Sequence, residues 1–297
     1  MSTASPYSLY LSRLSANSKT SIESQLRSIA KIMKWQNDYQ TRFTQISYQD
    51  LLQIRATLQH EGWAPRSINR AQVAITNIIK IAVMMKLVDV DQLNQLSTLN
   101  KLKFPEFQGT ALTKEQVTAL FTLLERAKSA VGLRNTAMFA ILLGTGLRRS
   151  ELVALHMKDI DVNKQTLIVT KGKGNKSRIL FLPDWTTTYL KAWLKHRSHQ
   201  SGVVFCQVRV GGETRLTEPV NVSLVYRLIK SKLQRIGVAN ASPHDLRRTF
   251  ITRLLGQNVD LNTVRQMAGH ASITTTTIYD KRGMQFMQQA AAKLSYD

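Results

Sequence analysis

The chain has 297 residues, room for two ordinary domains with cores of their own, and its 41 Lys and Arg outnumber 19 Asp and Glu to give a formal charge of +22. That excess points to a polyanion, most simply DNA or RNA. Because the basic residues are scattered through amphipathic segments and not gathered in a tail, it fits a folded groove better than an acidic membrane surface. One cysteine, Cys206, excludes an intrachain disulfide framework and suits a reducing cytosol, and with no signal peptide and no apolar run near the ~18 residues of a membrane span the chain is expected to be soluble and cytoplasmic.

From Ser18 to Met33 the apolar residues Ile22, Leu26, Ile29 and Ile32 recur at helical spacing and predict an amphipathic helix. Ser47 caps a second helix that carries Leu51, Leu52, Ile54 and Leu58, and Gly62 breaks it. A third starts near Pro65 and runs through Ile68, Val73, Ile75, Ile78 and Ile79 to about Lys86. No strand signal stands out, so residues 1–100 read as a small helical domain. Lys19, Arg27, Lys31, Arg66 and Arg70 are available there for phosphates, with Arg66 and Arg70 the candidate DNA contacts. Singly, most such charges are solvated and act through the summed field. Leu96 to Thr110 loses the helical period and contains Pro105 and Gly109. It predicts a linker over 101–110 with a boundary near 107, before a second domain at 111–297.

Thr113-Lys114-Glu115-Gln116 is a capping box opening a helix with Val117, Leu120, Phe121 and Leu124. The very apolar A-M-F-A-I-L-L follows and should be central to the core. Gly144 and Gly146 are expected to stop it. Arg148 then enters the next helix, with Glu151 three residues on and able to hold its guanidinium; Arg149 reads as a surface residue. Thr166–Thr170 and Ser177–Leu182 alternate as strands around the turn K-G-K-G-N-K, where Lys171, Lys173 and Lys176 load the tip with charge. No helix follows those glycines, so this is not a phosphate-binding P-loop; a solvated hairpin tip is the plain alternative. Further helices are expected from Asp184 and from Val222 to Ile236, with a short strand at Val203–Cys206 between them.

Ser242-Pro243 starts another helix, and His244 and Arg247 fall three apart on it. Gly256 ends it, Asp260 caps the next helix, which runs to Gly269, and His270 follows directly. Ser272 can cap a short helix carrying Tyr279. A guanidinium fits a phosphate, an imidazole holds or moves a proton near neutral pH, and a phenol is a nucleophile once deprotonated. With eight Tyr and six His in the chain, no one of these residues argues for catalysis alone; the constellation does. The last helix expected, Met284 to Leu294, has an apolar side that would dock on a neighbouring subunit or close its own core.

Arg148, Lys173, His244, Arg247, His270 and Tyr279, in that order, resemble the active-site set of the tyrosine recombinases, the family of phage integrases and Xer recombinases. G-T-G-L-R-R-S-E-L is similar to its first arginine motif, K-G-K-G-N-K to its hairpin lysine, H-D-L-R-R-T-F to its H-x-L-R helix and A-G-H to its L-G-H. Arg248 and Ala268 depart from commoner choices. The resemblance covers the whole chain and implies a mainly α fold with a small antiparallel β-sheet, arranged as a two-domain C-shaped clamp: a helical core-binding domain and a mixed α/β catalytic domain.

It further implies that Arg148 and Arg247 grip the phosphate, that Tyr279 forms a 3′-phosphotyrosine, and that Lys173 protonates the departing 5′ oxygen. His244 would assist proton removal, His270 would hydrogen-bond the phosphate, and Glu151 would orient Arg148. Lys171 and Lys176 would contact DNA. The intermediate keeps the phosphodiester energy, so no cofactor, ATP or metal is expected. The expected partner is double-stranded DNA with inverted half-sites, bound by a homotetramer on two sites or by this chain paired with a homologous recombinase. Strands would pass through a Holliday junction for integration, excision or resolution, in a bacterial, phage or mobile-element setting. The helical domain opens the chain, so simple sites are expected over ones read by a separate arm-binding module. Three other readings carry different expectations. A type IB-like topoisomerase would relax plasmids lacking a site, a DNA-binding regulator would form no covalent product, and a metal nuclease would fail with EDTA.

Overall fold

A computed structural model describes residues 4–35, 38–104, 109–170, 177–239, 241–280 and 292. Its contacts divide into two compact units, Met1–Phe107 and Gln108–Asp297. No helix among the described residues is long and apolar enough to cross a membrane.

The first unit is all helix: α1 (Pro6–Ser12), α2 (Ala16–Ile32), α3 (Tyr39–Arg42), α4 (Tyr48–His60), α5 (Pro65–Met84) and α6 (Val90–Thr98). α5 is its axis. Pro65 stands in its first turn and Ile68, Ala71, Ala74, Ile75, Ile78 and Ile79 are buried against α1, α2, α4 and α6. Val73, expected in the buried stripe, is 43% exposed, because the stripe follows i, i+3, i+4, i+7 from Ile68 and Val73 falls off it. Leu52 likewise faces solvent. Three helices, α1, the short α3 and α6, had no counterpart in the sequence reading.

The expected linker starts later than Leu96 suggests. α6 runs to Thr98, and the chain beyond it is fastened to the unit by side chains. Gln72 Nε2 donates to Leu99 O (2.6 Å), Arg55 Nη1 to Asn100 O (2.8 Å), and Asn69 bonds both polar groups of the Leu102 backbone (2.8 and 2.9 Å). Residues 105–108 of the expected linker lie outside the described residues.

The second unit contains α7 (Lys114–Glu125), α8 (Ala130–Thr145), α9 (Arg149–Val153), β1 (Ile160–Asp161), β2 (Thr166–Val169), β3 (Arg178–Phe181), α10 (Asp184–Arg197), β4 (Cys206–Val208), β5 (Thr214–Pro219), α11 (Val222–Arg235), α12 (Pro243–Gly256), α13 (Leu261–Ala268) and α14 (Thr274–Thr277). α8 is apolar along most of its length and buried on every side from Thr136 onward, with α7, α10 and α12 packed against it. Gly144 does not stop it. That glycine is the last-but-one helical residue, and its bare Cα lets Thr186 of α10 approach; Gly146, at φ +65°, is the left-handed cap. β1, β2 and β3 form an antiparallel sheet with Ile160 opposite Leu167 and Ile168 opposite Ile179. Leu167, Val169 and Leu180 face the core while Ile179 and Phe181 face out. The strand expected at Val203–Cys206 begins only at Cys206, pairs with β5, and follows a buried run, Val203–Val204–Phe205, whose Val204 carbonyl accepts from Trp193 Nε1 (2.8 Å).

Candidate active site

The site is built round the carboxyl end of α13. Asp260 caps the start of that helix, accepting from the Thr263 N–H (2.9 Å), and Gly269 at φ +66° terminates it. The last carbonyls of any helix lack intrahelical donors and carry the negative end of the helix dipole. Here they receive guanidinium groups in succession. Met267 O accepts from Arg178 Nε (3.2 Å), Ala268 O from Arg247 Nη2 (2.5 Å), Gly269 O from Arg148 Nη2 (3.0 Å) and His270 O from Arg265 Nη1 (3.3 Å). Gly269 is required twice over: its φ is left-handed, and a Cβ there would sit 2.9 Å from Arg178 Cζ.

Arg148 stands at the amino-terminal cap of α9 and Glu151 in that helix's first turn. The carboxylate accepts from the Arg148 N–H (2.9 Å) and from its Nη1 (2.8 Å). It also accepts two bonds from Arg178, Nη1 to Oε1 (3.1 Å) and Nη2 to Oε2 (2.9 Å). Burial alone would raise the Glu151 pKa; the bonds from Arg178 and from the Arg148 backbone, with both positive charges, outweigh it and leave the carboxyl below its ordinary value. Arg178 is the residue the sequence reading missed. Its signal was present: on β3 it shares a face with buried Leu180, and a cation on the inward face of a strand requires a carboxylate.

Arg247, on α12, is 5% exposed and donates through Nη1 to Gly146 O (2.7 Å), so it ties the end of α8 to the end of α13. Burial, and then repulsion from Arg148, pull its pKa down to about 10, which leaves it charged at neutral pH. His244, in the first turn of the same helix, is open to solvent while Arg247 is buried. The protein around it, followed by Arg247 and Arg149, pushes its pKa down. Asp245 holds this helix start, accepting from the Ser242 N–H (2.8 Å) and hydroxyl (2.9 Å). Arg149 lies over the Tyr226 ring at 5.4 Å, away from the cluster's carbonyls.

His270 is 7% exposed, with Nδ1 2.8 Å from Thr276 Oγ1. Burial, then Arg247 and Arg148, take its pKa to about 4, so the imidazole is neutral at pH 7. Tyr279 follows α14. Its ring is nearly parallel to that of His270, 6.0 Å between centres at 18°, and it lies beneath the Arg248 guanidinium at 4.8 Å. The structure thus brings Arg148, Glu151, Arg178, Arg247, His270 and Tyr279 into one cluster, with His244 at its edge. Among the described residues Arg148 and Arg247 each retain donors beyond the two engaged through Nη1 and Nη2. Lys171, Lys173 and Lys176 lie outside the described residues, as does the expected helix at Met284–Leu294 apart from Ala292. No group of three or more His, Cys, Asp or Glu able to hold a metal occurs among the described residues.

The two candidate DNA contacts of the first unit are exposed on α5, and both are engaged within that unit. Arg66 lies over the Phe104 ring at 5.6 Å; Arg70 bridges to α2 through Gln25 Oε1 (2.9 Å) and Ser21 Oγ (3.0 Å).

Comparison with known proteins gives concordant results. The sequence model described as "Phage integrase family" matches residues 110–285. Tyrosine recombinase XerA of Pyrococcus furiosus is 30% identical over 244 residues, covering 82% of this chain and 79% of that protein. Tyrosine recombinase XerC of Treponema denticola is 26% identical over 283 residues and covers 92% of each. Among solved structures, the Tn1549 transposon integrase in complex with a circular intermediate DNA superposes with a TM-score of 0.72 at 19% identity, covering 98% of this chain and 100% of that one. A λ integrase dimer bound to a COC′ core site gives 0.69 at 15% identity, with 93% of each covered.

Proposed function

From the premise that this chain belongs to the phage integrase family and is a tyrosine-type site-specific DNA recombinase, we propose that Tyr279 is its nucleophile and that Arg148, Lys173, His244, Arg247 and His270 complete the site. The Tyr279 oxygen attacks the scissile phosphorus, the Oη–P bond forms, and the P–O5′ bond breaks. A free phenol has a pKa of about 10, so its proton must be taken; His244, held uncharged and open to solvent, accepts it. Lys173 supplies a proton to the leaving 5′ oxygen. Arg148 and Arg247 bind the non-bridging oxygens, and neutral His270 adds a hydrogen bond to one of them. Glu151 and Arg178 position Arg148 without touching the phosphate.

One observation carries this reading. Two guanidinium groups from separate helices are fixed by carbonyls of a single helix end, with donors to spare, beside the Tyr279 ring. Rejoining to a partner strand reverses the chemistry and requires no energy source. In the same proposal the first unit binds DNA through Arg66 and Arg70 and the field around them, Lys171 and Lys176 contact the backbone near the cut, and four subunits act on two sites with inverted half-sites through a Holliday junction. Similar folds solved on DNA support a duplex partner: the Tn1549 integrase on circular intermediate DNA and XerH bound to its difH substrate. The work takes place in the cytoplasm.

The test is a duplex bearing the half-sites from DNA flanking the gene, nicked near the cut so that the adduct is trapped. Wild type should give a protein–DNA species stable to denaturant and sensitive to protease, and Tyr279→Phe none. Equal adduct from both would remove Tyr279 from the role.

A further inference from the structure

We propose that Arg248 seats the nucleophile: it is a positioning residue that holds the Tyr279 ring against His270, and the inference rests on the assignment of Tyr279 above. The ring packs at the edge of a small buried cluster of Phe250, Ile251, Leu255, Val264 and Ala268, with His270 alongside, and Arg248 covers its face. Tyr279 comes after α14, four residues of which only Thr276 is buried, and Ile278 beside it is 57% exposed. The residues leading up to Tyr279 therefore add little to that cluster.

Arg248 is held from behind. Its side chain is 17% exposed, and its Nε is 3.9 Å from Asp245 Oδ1, too far for a hydrogen bond but close enough for attraction. That carboxylate is in turn fixed by the Ser242 N–H and hydroxyl. Gly109 closes the remaining side: a Cβ there would overlap Asp245 Oδ1 and come within 3.3 Å of Arg248 Nε. The result is a buried Nε with no hydrogen-bond partner among the described residues. A buried donor left this way is costly, so the side chain would not adopt the position for its own sake. Beyond the attraction of Asp245, what it gains there is the face of Tyr279, 4.8 Å from the guanidinium carbon to the ring centre. Arg247 and Arg248 are neighbours with divided tasks. The first is bound by carbonyls and keeps donors for phosphate. The second turns its planar face to the attacking ring.

The experiment uses the full chain and the nicked duplex described above, with wild type, Arg248→Met, Arg248→Lys and Tyr279→Phe. Arg248→Met should bind the duplex within about twofold of wild type, since one cation among many is lost. It should form adduct about tenfold more slowly, a barrier increase of about 1.4 kcal/mol. Arg248→Lys should recover part of the rate, because an ammonium still faces the ring without the planar stack. The same defect should appear when the scissile phosphate is a methylphosphonate, since the missing contact is with the tyrosine and not with an anionic oxygen. A 3-fluorotyrosine placed at 279 should report the change directly, its ¹⁹F resonance moving in Arg248→Met toward that of free fluorotyrosine.

Wild-type rates in Arg248→Met, a defect confined to the charged phosphate, or an unmoved fluorine resonance would each overturn the proposal. If Arg248→Met melts early, Arg248→Lys carries the test, and a wild-type rate with an unmoved resonance there overturns it equally. Adduct from Tyr279→Phe would instead mean that the nucleophile was misassigned, an outcome separate from Arg248 proving dispensable.

Discussion

Glu151→Gln probes the pocket most directly, because the amide has the carboxylate's shape and removes only its charge. The Glu151 side chain is 4% exposed and accepts four bonds at 2.8–3.1 Å from Arg148 and Arg178. A glutamine keeps one acceptor oxygen and turns a donor toward a guanidinium, leaving two cations with no counter-charge between them. Breaking a buried ion pair by removing one partner costs about 3–5 kcal/mol. The arginine side chains are 13% and 26% exposed and take back some hydration, so the low end, about 3 kcal/mol, is expected. For a unit of this size, at about 2–4 °C per kcal/mol, melting of the second unit should fall by about 6–12 °C.

The pH dependence fixes the cause. The folded pKa of Glu151 is lowered, so its contribution is complete above the free value of about 4.3 and disappears as pH falls through the folded value. Calorimetry of wild type and Glu151→Gln from pH 7 downward should show two curves that converge in acid. A melting difference under about 2 °C at pH 7, or one that survives undiminished in acid, would refute the idea that a charged Glu151 organises the arginines.

His270 has the opposite acid signature to an ordinary surface imidazole. Its folded pKa of about 4 lies below the free value of about 6.5, so protons bind the unfolded chain first and stability declines from about pH 6.5 to 4, by about 3 kcal/mol in all. His270→Gln should flatten that decline in denaturation midpoints; an unchanged slope would put its origin elsewhere. Arg247→Ala should leave DNA affinity within a few-fold in gel shift yet cut adduct formation by about a hundredfold or more, as loss of a transition-state donor does; equal losses in both assays would make Arg247 a mere anchor. Gly269→Ala combines a left-handed φ of +66° with a Cβ 2.9 Å from Arg178 Cζ. It should lower stability by about 1–2 kcal/mol and slow cleavage by displacing Arg178, which thermal melting and the nicked-duplex assay would check together.

Where a feature is spelled by neighbouring residues, it could be read from the chain. The cap at Ser47 and the box at Thr113–Gln116 form as their spacing demands, with backbone bonds of 2.9–3.1 Å in the first and 2.9–3.2 Å in the second, and the apolar run of α8 lies in the core. Arg148 and Glu151 meet because they are three apart at a helix start. What the chain hid depends on partners far along it. Glu151 meets Arg178 twenty-seven positions later, and the carbonyls of Met267, Ala268 and Gly269 meet arginines from β3, α12 and the cap of α9 in turn. A backbone carbonyl has no letter in the sequence, so its role as the anchor of three guanidinium groups could not be inferred from spacing. Gly144 was misread for the same reason: its small size serves Thr186 across a helix contact, not a turn. β5 escaped notice because Thr214 to Pro219 carries a single large apolar residue, Leu216, and no residue of it is fully buried.

The electrostatics of the cluster explain why such an arrangement suits phosphoryl transfer. Among the described residues Arg148 and Arg178 both pair with Glu151, and Arg247 lies in the field of the same carboxylate, so three guanidinium groups meet one carboxylate there. Repulsion within the cluster is visible in the lowered pKa of Arg247, for which Arg148 is the leading charged cause. The carbonyls at the end of α13 offset part of that strain with dipoles, which hold the cations in place without neutralising them. In the proposed reaction a bound phosphodiester would relieve the excess of positive charge in part, and a pentacoordinate phosphorane, carrying more negative charge, would relieve it further. On that proposal the interaction would strengthen along the reaction path, which is the condition for lowering a barrier and not merely for binding.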